Sequence, residues 1–375
     1  MKFSCDKSVL SGAVSNVSRA VTTRTALQAL EGILIRAEGG SLTLTGYDLE
    51  MCITTVIPAE VTEEGSAVLS AKLFGEMIRK LEGGEVFVES DDKLLTTIRG
   101  GGAEFTILGI DPADYPELPG LKDSETLTLP QHALKSMIEQ TQFAISQNDT
   151  KPVHTGSLFD VMPDSVTVVS VDGYRMAVRR ELCQTGLETR FVVPGKTLAE
   201  IAKLLTDEPA ADGQPEPTAS LQVSRQYVLA TVGSYSLISR LLDGEFLDYQ
   251  AAIPEGCTTE VTLSTRELIA AVDRASLIIS DRLRSPLRMK FEENCLRITC
   301  TTSLGKAYDE VPCRIKGNEL EMGFNNKYVL DALRAADCDE VCLQISGPLS
   351  PMKIVPPEGD GFLFLVLPVR LKTEM

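Results

Sequence analysis

The chain has 375 residues, 43% of them hydrophobic and 24% charged, with 5% aromatic residues and no Trp. That balance excludes a disordered chain and calls for two or three domains with aliphatic cores. A formal charge of −17 argues against a surface coated in nucleic acid but leaves room for a local basic face.

Taken in chain order, the predicted elements repeat. Phe3-Ser4-Cys5-Asp6-Lys7, Leu127-Thr128-Leu129-Pro130-Gln131 and Val261-Thr262-Leu263-Ser264-Thr265 each read as a short strand broken by a polar residue or Pro. Each then turns helical, with stripes at Leu10/Val14/Val17, Leu134/Ile138/Thr141 and Leu268/Val272/Ala275. This is the i, i+4, i+7 spacing of an amphipathic helix, with Thr141 its one weak member. Phe3 to Leu127, Asp48 to Asp172 and Lys72 to Lys196 share one offset of 124 residues. Lys72-Leu73-Phe74, Lys196-Thr197-Leu198 and Lys327-Tyr328-Val329 each open a second helix, followed by alternating strands such as Glu85 to Glu89 and Ser220 to Val223. Gly39-Gly40, Gly83-Gly84 and Gly100-Gly101-Gly102 are expected as hairpin turns. Residues 207–217, with three Pro, read as an exposed loop inserted in the second copy. The predicted fold class is α+β: three repeated domains of two helices on antiparallel sheets, over residues 1–122, 123–254 and 255–375.

Chemistry-bearing motifs are sparse. Gly195-Lys196-Thr197 follows a strand and opens a helix, as a phosphate-binding P-loop does. The loop needs Gly five residues earlier, where Arg190 stands, and Lys196 matches Lys72 and Lys327, which have no nucleotide signature. Asp48 and Asp172, at equivalent repeat positions, read as turn or cap residues before general acids. The nine Cys have no metal-site spacing, and only His132 and His154 could complete a His-containing site. No enzyme, cofactor or metal is expected. The start, Met1 to Lys7, has no signal-peptide run, and the longest apolar run, Gly361 to Val369, cannot span a bilayer. A cytoplasmic location without a membrane partner is therefore expected.

The opening Met1-Lys2-Phe3, the string Leu44-Thr45-Gly46-Tyr47-Asp48-Leu49-Glu50-Met51, the string Val171-Asp172-Gly173-Tyr174-Arg175-Met176-Ala177-Val178 and the end Leu367-Pro368-Val369-Arg370-Leu371 together resemble the bacterial DNA sliding clamps, the β subunits of DNA polymerase III. The resemblance runs the whole length in order. It implies a DNA clamp fold: a head-to-tail homodimeric ring with helices lining the hole, acting as a processivity factor on DNA. Helices pack about 8–10 Å apart. Twelve in a circle then leave an opening of about 25 Å, once each helix's own thickness of about 10 Å is removed; six leave almost none. Sequence-independent phosphate contacts on double-stranded DNA suit sliding.

By the same resemblance, DNA-binding residues are expected at Arg24, Lys72, Asn148, Lys151, Pro152, Val153 and Lys196. Other cations sit on helical segments, including Arg266, Arg274, Arg282 and Arg334, where an ordinary solvated face is the alternative. The family takes DNA polymerases and the clamp loader as partners, through short linear peptides rich in Gln, Leu and Phe. The matching pocket residues are His154, Gly173, Tyr174, Arg175, Met176 and Leu247, then Leu365, Val366, Leu367, Pro368, Val369, Arg370 and Leu371. For the strand Phe362 to Leu367 a plain core role is the alternative. This chain departs from the family at Leu247, where many members have Pro, at His154, often apolar, and at Pro152 and Val153, where aromatics are known. Its end, Lys372 to Met375, runs past the family's usual one. By the same resemblance, the dimer interface is expected at Phe105 and Ile107, on an edge strand, and at Leu277 and Ile278, as apolar surface of the helical stretch Ala275 to Ile279, where a plain core role is the alternative. Rival readings are a scaffold ring that does not touch nucleic acid and a P-loop nucleotide-binding protein.

Overall fold

The structure is a computed structural model that describes residues 1–371 apart from 24, 149, 209–212 and 280–284. Arg24, Arg282, part of the proline-rich loop and Lys372 to Met375 thus lie outside the described residues.

Each third of the chain follows the predicted order of strand, helix, strands, helix, strands. The helices are α1 (Lys7–Val17), α2 (Ala71–Lys80), α3 (Gln131–Gln142), α4 (Gly195–Leu204), a single turn α5 (Tyr249–Ala252), α6 (Thr265–Ser276) and α7 (Asn326–Ala335). The predicted stripes are buried in all three first helices, Thr141 included. That hydroxyl is satisfied by its own helix, donating to the Met137 carbonyl at 2.8 Å. Helix starts are written into the repeat. Asp6 accepts from the amides of Ser8 and Val9, Ser264 from Glu267, and Asn325 from Lys327. Pro130 and Pro194 hold the matching positions in the central third, where they fix φ but offer no capping oxygen.

Among the described residues the strands form four antiparallel sheets in two compact units. The first unit comprises Met1–His132 with Lys203–Leu241. It holds a five-stranded sheet edged by Glu60–Glu63 and Ala103–Leu108, and an eight-stranded sheet in which Tyr235–Arg240 pairs with Met51–Pro58. The second unit takes Ala133–Ala202 and the chain from Leu242 onward. Its nine-stranded sheet joins central and C-terminal thirds where Arg175–Leu182 pairs with Phe362–Val366, and its four-stranded sheet is edged by Gly305–Pro312 and Leu320–Phe324. The central third therefore divides its strands between the two units.

Gly32 and Gly156, again 124 apart, show why the repeat keeps glycine. A Cβ on Gly32 would lie 2.9 Å from the Leu69 carbonyl oxygen, and one on Gly156 2.2 Å from that of Val193. In both copies the backbone of the neighbouring strand comes too close for a side chain. One turn expectation is corrected. Gly39-Gly40 and Gly101-Gly102 do turn hairpins, but Gly83-Gly84 links α2 to the strand Glu85–Ser90. The alternating pattern begins only after that pair, so the preceding element is a helix and the link is not a hairpin.

Candidate functional site

The richest constellation is in the second unit, at the turn between strands Ser165–Val171 and Arg175–Leu182. Asp172 builds the turn: its Oδ1 accepts from the amides of Tyr174 at 2.9 Å and Arg175 at 3.1 Å. Asp48 does the same for Glu50 and Met51 in the first third, in accord with the turn role read from the repeat. Both turns need a left-handed residue at the next position. Gly173 supplies it at φ +88°, whereas Leu49 is held at φ +77°. A Cβ on Gly173 would meet nothing within 4 Å, so the backbone there lies open.

Tyr174 is 61% exposed and stacks on Tyr328 of α7, with ring centroids 5.9 Å apart. Arg175 was expected to line the pocket, but its side chain is only 9% exposed. Its Nε meets Asp172 Oδ2 at 2.8 Å and its Nη1 meets Asp331 Oδ2 at 2.6 Å. The guanidinium also lies over the rings of Tyr328, at 4.6 Å, and Phe143, at 5.5 Å. Two carboxylates and two rings use its charge and faces.

The last strand runs Phe362–Val366, with Val366 opposite Arg175. Beyond it the chain leaves the ladder. The Leu367 amide still donates to the Tyr174 carbonyl at 2.9 Å, and Val369 then bridges to Gly323, donating to its carbonyl at 2.8 Å. Pro368, with no amide hydrogen, sits at this change of sheet. Leu367, Val369 and Arg370 are exposed, Leu367 by 39%, and Pro368 and Leu371 are half-buried. Leu365, Val366 and Met176, also expected to line the pocket, are buried core residues. Leu365 and Met176 pack with Val153, Leu158, Val171 and Tyr249. Phe246 leans on this cluster, and the half-buried His154 ring meets it edge-on at 5.3 Å. Burial first, and then the charge of Lys151, push the His154 pKa below its usual value, which favours the neutral ring. Leu247 is exposed beside Phe246.

The expected DNA-facing residues fall in two groups. Lys72, Lys196 and Lys327 are each the second residue of a helix, and all three are exposed. Lys151, Pro152 and Asn148 are exposed on the loop after α3, where Asn148 Oδ1 accepts from the Thr150 amide. A cleft of about 420 Å³ links this loop to α4, lined by Gln142, Gln147, Thr155 and Lys196 among others. Val153 departs from expectation: it is 8% exposed, and its side chain is taken up by the core cluster. Two of the helix cations are neutralised within the chain, Arg274 by Asp309 at 2.6 Å and Arg334 by Asp273 at 3.1 Å.

Of the residues expected at a dimer interface, Phe105 and Ile107 lie on the edge strand Ala103–Leu108, each half-buried. Leu277 is 84% exposed, but α6 ends at Ser276 and Ile278 packs against the core. Leu277 thus stands exposed in the turn that follows the helix, while Ile278 is half-buried. Arg190, at the place a P-loop would need Gly, lies in the strand Thr189–Pro194 and pairs with Asp160 at 3.2 Å. Sequence reasoning missed Tyr328, Asp331, Phe143 and Gly323. The signal for the first two was the i, i+3 spacing beside Lys327, which puts both on one helix face.

Among the described residues no helix is long and apolar enough to cross a membrane. Three family models match in succession: the DNA polymerase III beta subunit N-terminal domain over residues 1–119, its central domain over 128–248 and its C-terminal domain over 250–370. The beta sliding clamps of Halalkalibacterium halodurans and Bacillus subtilis are each 32% identical to this chain, over 99% of it and the whole of theirs. The solved Bacillus subtilis sliding clamp superposes with a TM-score of 0.93 at 31% identity, covering 99% of this chain and all of that one. A sliding clamp from Bartonella birtlesii, solved bound to griselimycin, gives 0.92 at 28% identity, again over 99% of this chain and the whole of the other. With all three domain models matched in order and relatives alike along their full length, this chain belongs to the DNA polymerase III beta subunit family of sliding clamps.

Proposed function

We propose that the chain is a processivity factor: two copies close head to tail around duplex DNA, helices inward, and tether DNA polymerases and the clamp loader. The observation that carries this reading is the ordered match of all three domains over nearly the whole chain. The three domains are assigned to residues 1–122, 123–254 and 255–375. The function is topological and no reaction is catalysed, since a closed ring needs only weak phosphate contacts to remain on DNA while sliding. The protein works in the cytoplasm, where its DNA is.

Two edge strands support the ring. Ala103–Leu108 ends the five-stranded sheet and Gly305–Pro312 ends the four-stranded sheet. A row of edge amides and carbonyls is a template for pairing with another chain. Tyr308 lies on the second edge and Leu304 in the turn before it, and Leu277 follows α6, whose Arg274 pairs with Asp309 of that edge; all three are strongly exposed. Pairing of one edge with the other edge of a second copy is a heterologous contact, which closes a ring when the rotation permits.

Partner peptides are assigned to the groove framed by Gly173, Tyr174, Leu247 and the segment Leu367–Leu371, with His154 behind it. Lys151, Lys72, Lys196 and Asn148 are assigned to phosphate contact. Binding of the chain to open duplex should fall steeply with salt and be the same for any base sequence. Lys151→Ala should lower the slope of log affinity against log salt by about 0.9, one phosphate contact, with the fold unchanged. Titrations of fluorescent duplexes at several salt concentrations test this. A preference for one sequence at constant salt contradicts the sliding reading.

A further inference from the structure

We propose that Asp331, with Tyr328 one turn away on α7, is a positioning residue for the partner-peptide groove, acting through Arg175 and Tyr174. The inference rests on the groove assignment above and adds to it a residue from outside the groove's own strands.

A guanidinium as buried as that of Arg175 requires counter-charge. Asp172 supplies one carboxylate oxygen to it but commits the other to the turn amides. The second counter-charge is Asp331, which meets Arg175 Nη1 at 2.6 Å with its own side chain 24% exposed. Tyr328 precedes Asp331 by three residues, so a single helical turn presents both groups to one place. Its ring lies under the guanidinium and is stacked with Tyr174. Tyr174 in turn holds the exit of the last strand, because its carbonyl accepts the Leu367 amide.

One chain of contacts therefore runs from α7 through Arg175 and Tyr174 to Leu367, the first exposed residue of the groove-forming tail. A groove that receives apolar anchors needs its walls at fixed heights before the ligand arrives, since ordering them on binding costs affinity. Asp331 supplies that fixing. In Asp331→Asn the size and one hydrogen bond remain, but Arg175 is left with a single carboxylate. Tyr174 and the Leu367 amide then lose their common support.

The test is calorimetric titration of the full chain with the pentapeptide Gln-Leu-Ala-Leu-Phe, as a double-mutant cycle of Asp331→Asn and Tyr174→Ala. Asp331→Asn should weaken peptide binding about tenfold and speed hydrogen exchange at the Leu367 amide, with native mass unchanged. If Asp331 acts through Tyr174, its effect should shrink to less than twofold in the Tyr174→Ala background; a merely structural residue would add its full effect there. Should Asp331→Asn fail to fold, Arg175→Lys, which keeps the charge but loses the fork, enters the same cycle. Additive effects, or unaltered peptide affinity in Asp331→Asn, overturn the inference and leave the groove assignment standing. Absence of peptide binding by the unmodified chain overturns both.

Discussion

Deleting the chain from Pro368 onward abolishes binding of a Gln-Leu-x-Leu-Phe peptide while the protein still assembles and stays on circular DNA: this is the expected result of the groove assignment. The deletion removes the half-buried Pro368 and Leu371, the exposed Val369 and the bridge from Val369 to Gly323. It leaves the ladder between Arg175–Arg179 and Phe362–Val366 whole. Two or three apolar anchors, each contributing about 1.5–3 kcal/mol when buried, suffice for micromolar binding after association costs. Losing one wall should therefore weaken binding by at least about a hundredfold, beyond the range of an ordinary titration. Gly323 is part of the strand Leu320–Phe324, whose pairing with Leu287–Glu292 does not depend on the tail, so the fold should survive. Unchanged peptide affinity in the truncated protein would put the partner site elsewhere. Loss of the dimer would make the tail structural.

The second large effect is expected at Leu277. Leu277→Asp should convert the proposed dimer into folded monomers at low micromolar concentration, read by native mass. With 84% of Leu277 exposed, the isolated chain derives little stability from it. In an interface the same side chain is worth about 1.5–3 kcal/mol, and an unpaired carboxylate put in its place costs several more. Ile278 makes a poor partner mutation, because it packs on the core of the C-terminal third and its truncation would confound dissociation with unfolding. A dimer that persists in Leu277→Asp would remove this residue from the interface. Tyr308 on the neighbouring edge strand would then be the next position to change.

The repeat made most of the fold legible. An offset of 124 residues placed the strand–helix junctions, the two aspartate turns and the helix-opening lysines, because each is a local pattern set by capping, turn chemistry and helical period. Where local rules conflict with neighbours distant in sequence, the reading failed. Gly83-Gly84 resembles a hairpin turn until the helix before it is known. Val153 follows Lys151 and Pro152 on a loop, yet its side chain turns into the cluster around Leu365 and Met176. The surroundings of Arg175 were hidden for the same reason: Asp331 lies 156 residues away in the chain. A basic residue in a surface motif reads as a ligand-binding cation until a partner carboxylate is seen beside it. The family resemblance singled out the segment around Gly173 and the chain end, but only the structure divides that segment into exposed Tyr174 and buried Arg175 and Met176.

The central claim, a ring held on DNA by topology, is tested most directly by its retention on nicked circular DNA before and after the circle is cut. The protein, once loaded, should elute with the circle in gel filtration at a salt concentration that abolishes its binding to short duplexes. It should be released within the time of the cut once a restriction enzyme linearises the DNA. Native mass should show two chains per particle throughout. Equal retention on circular and linear DNA, or release from both at that salt concentration, would contradict the account.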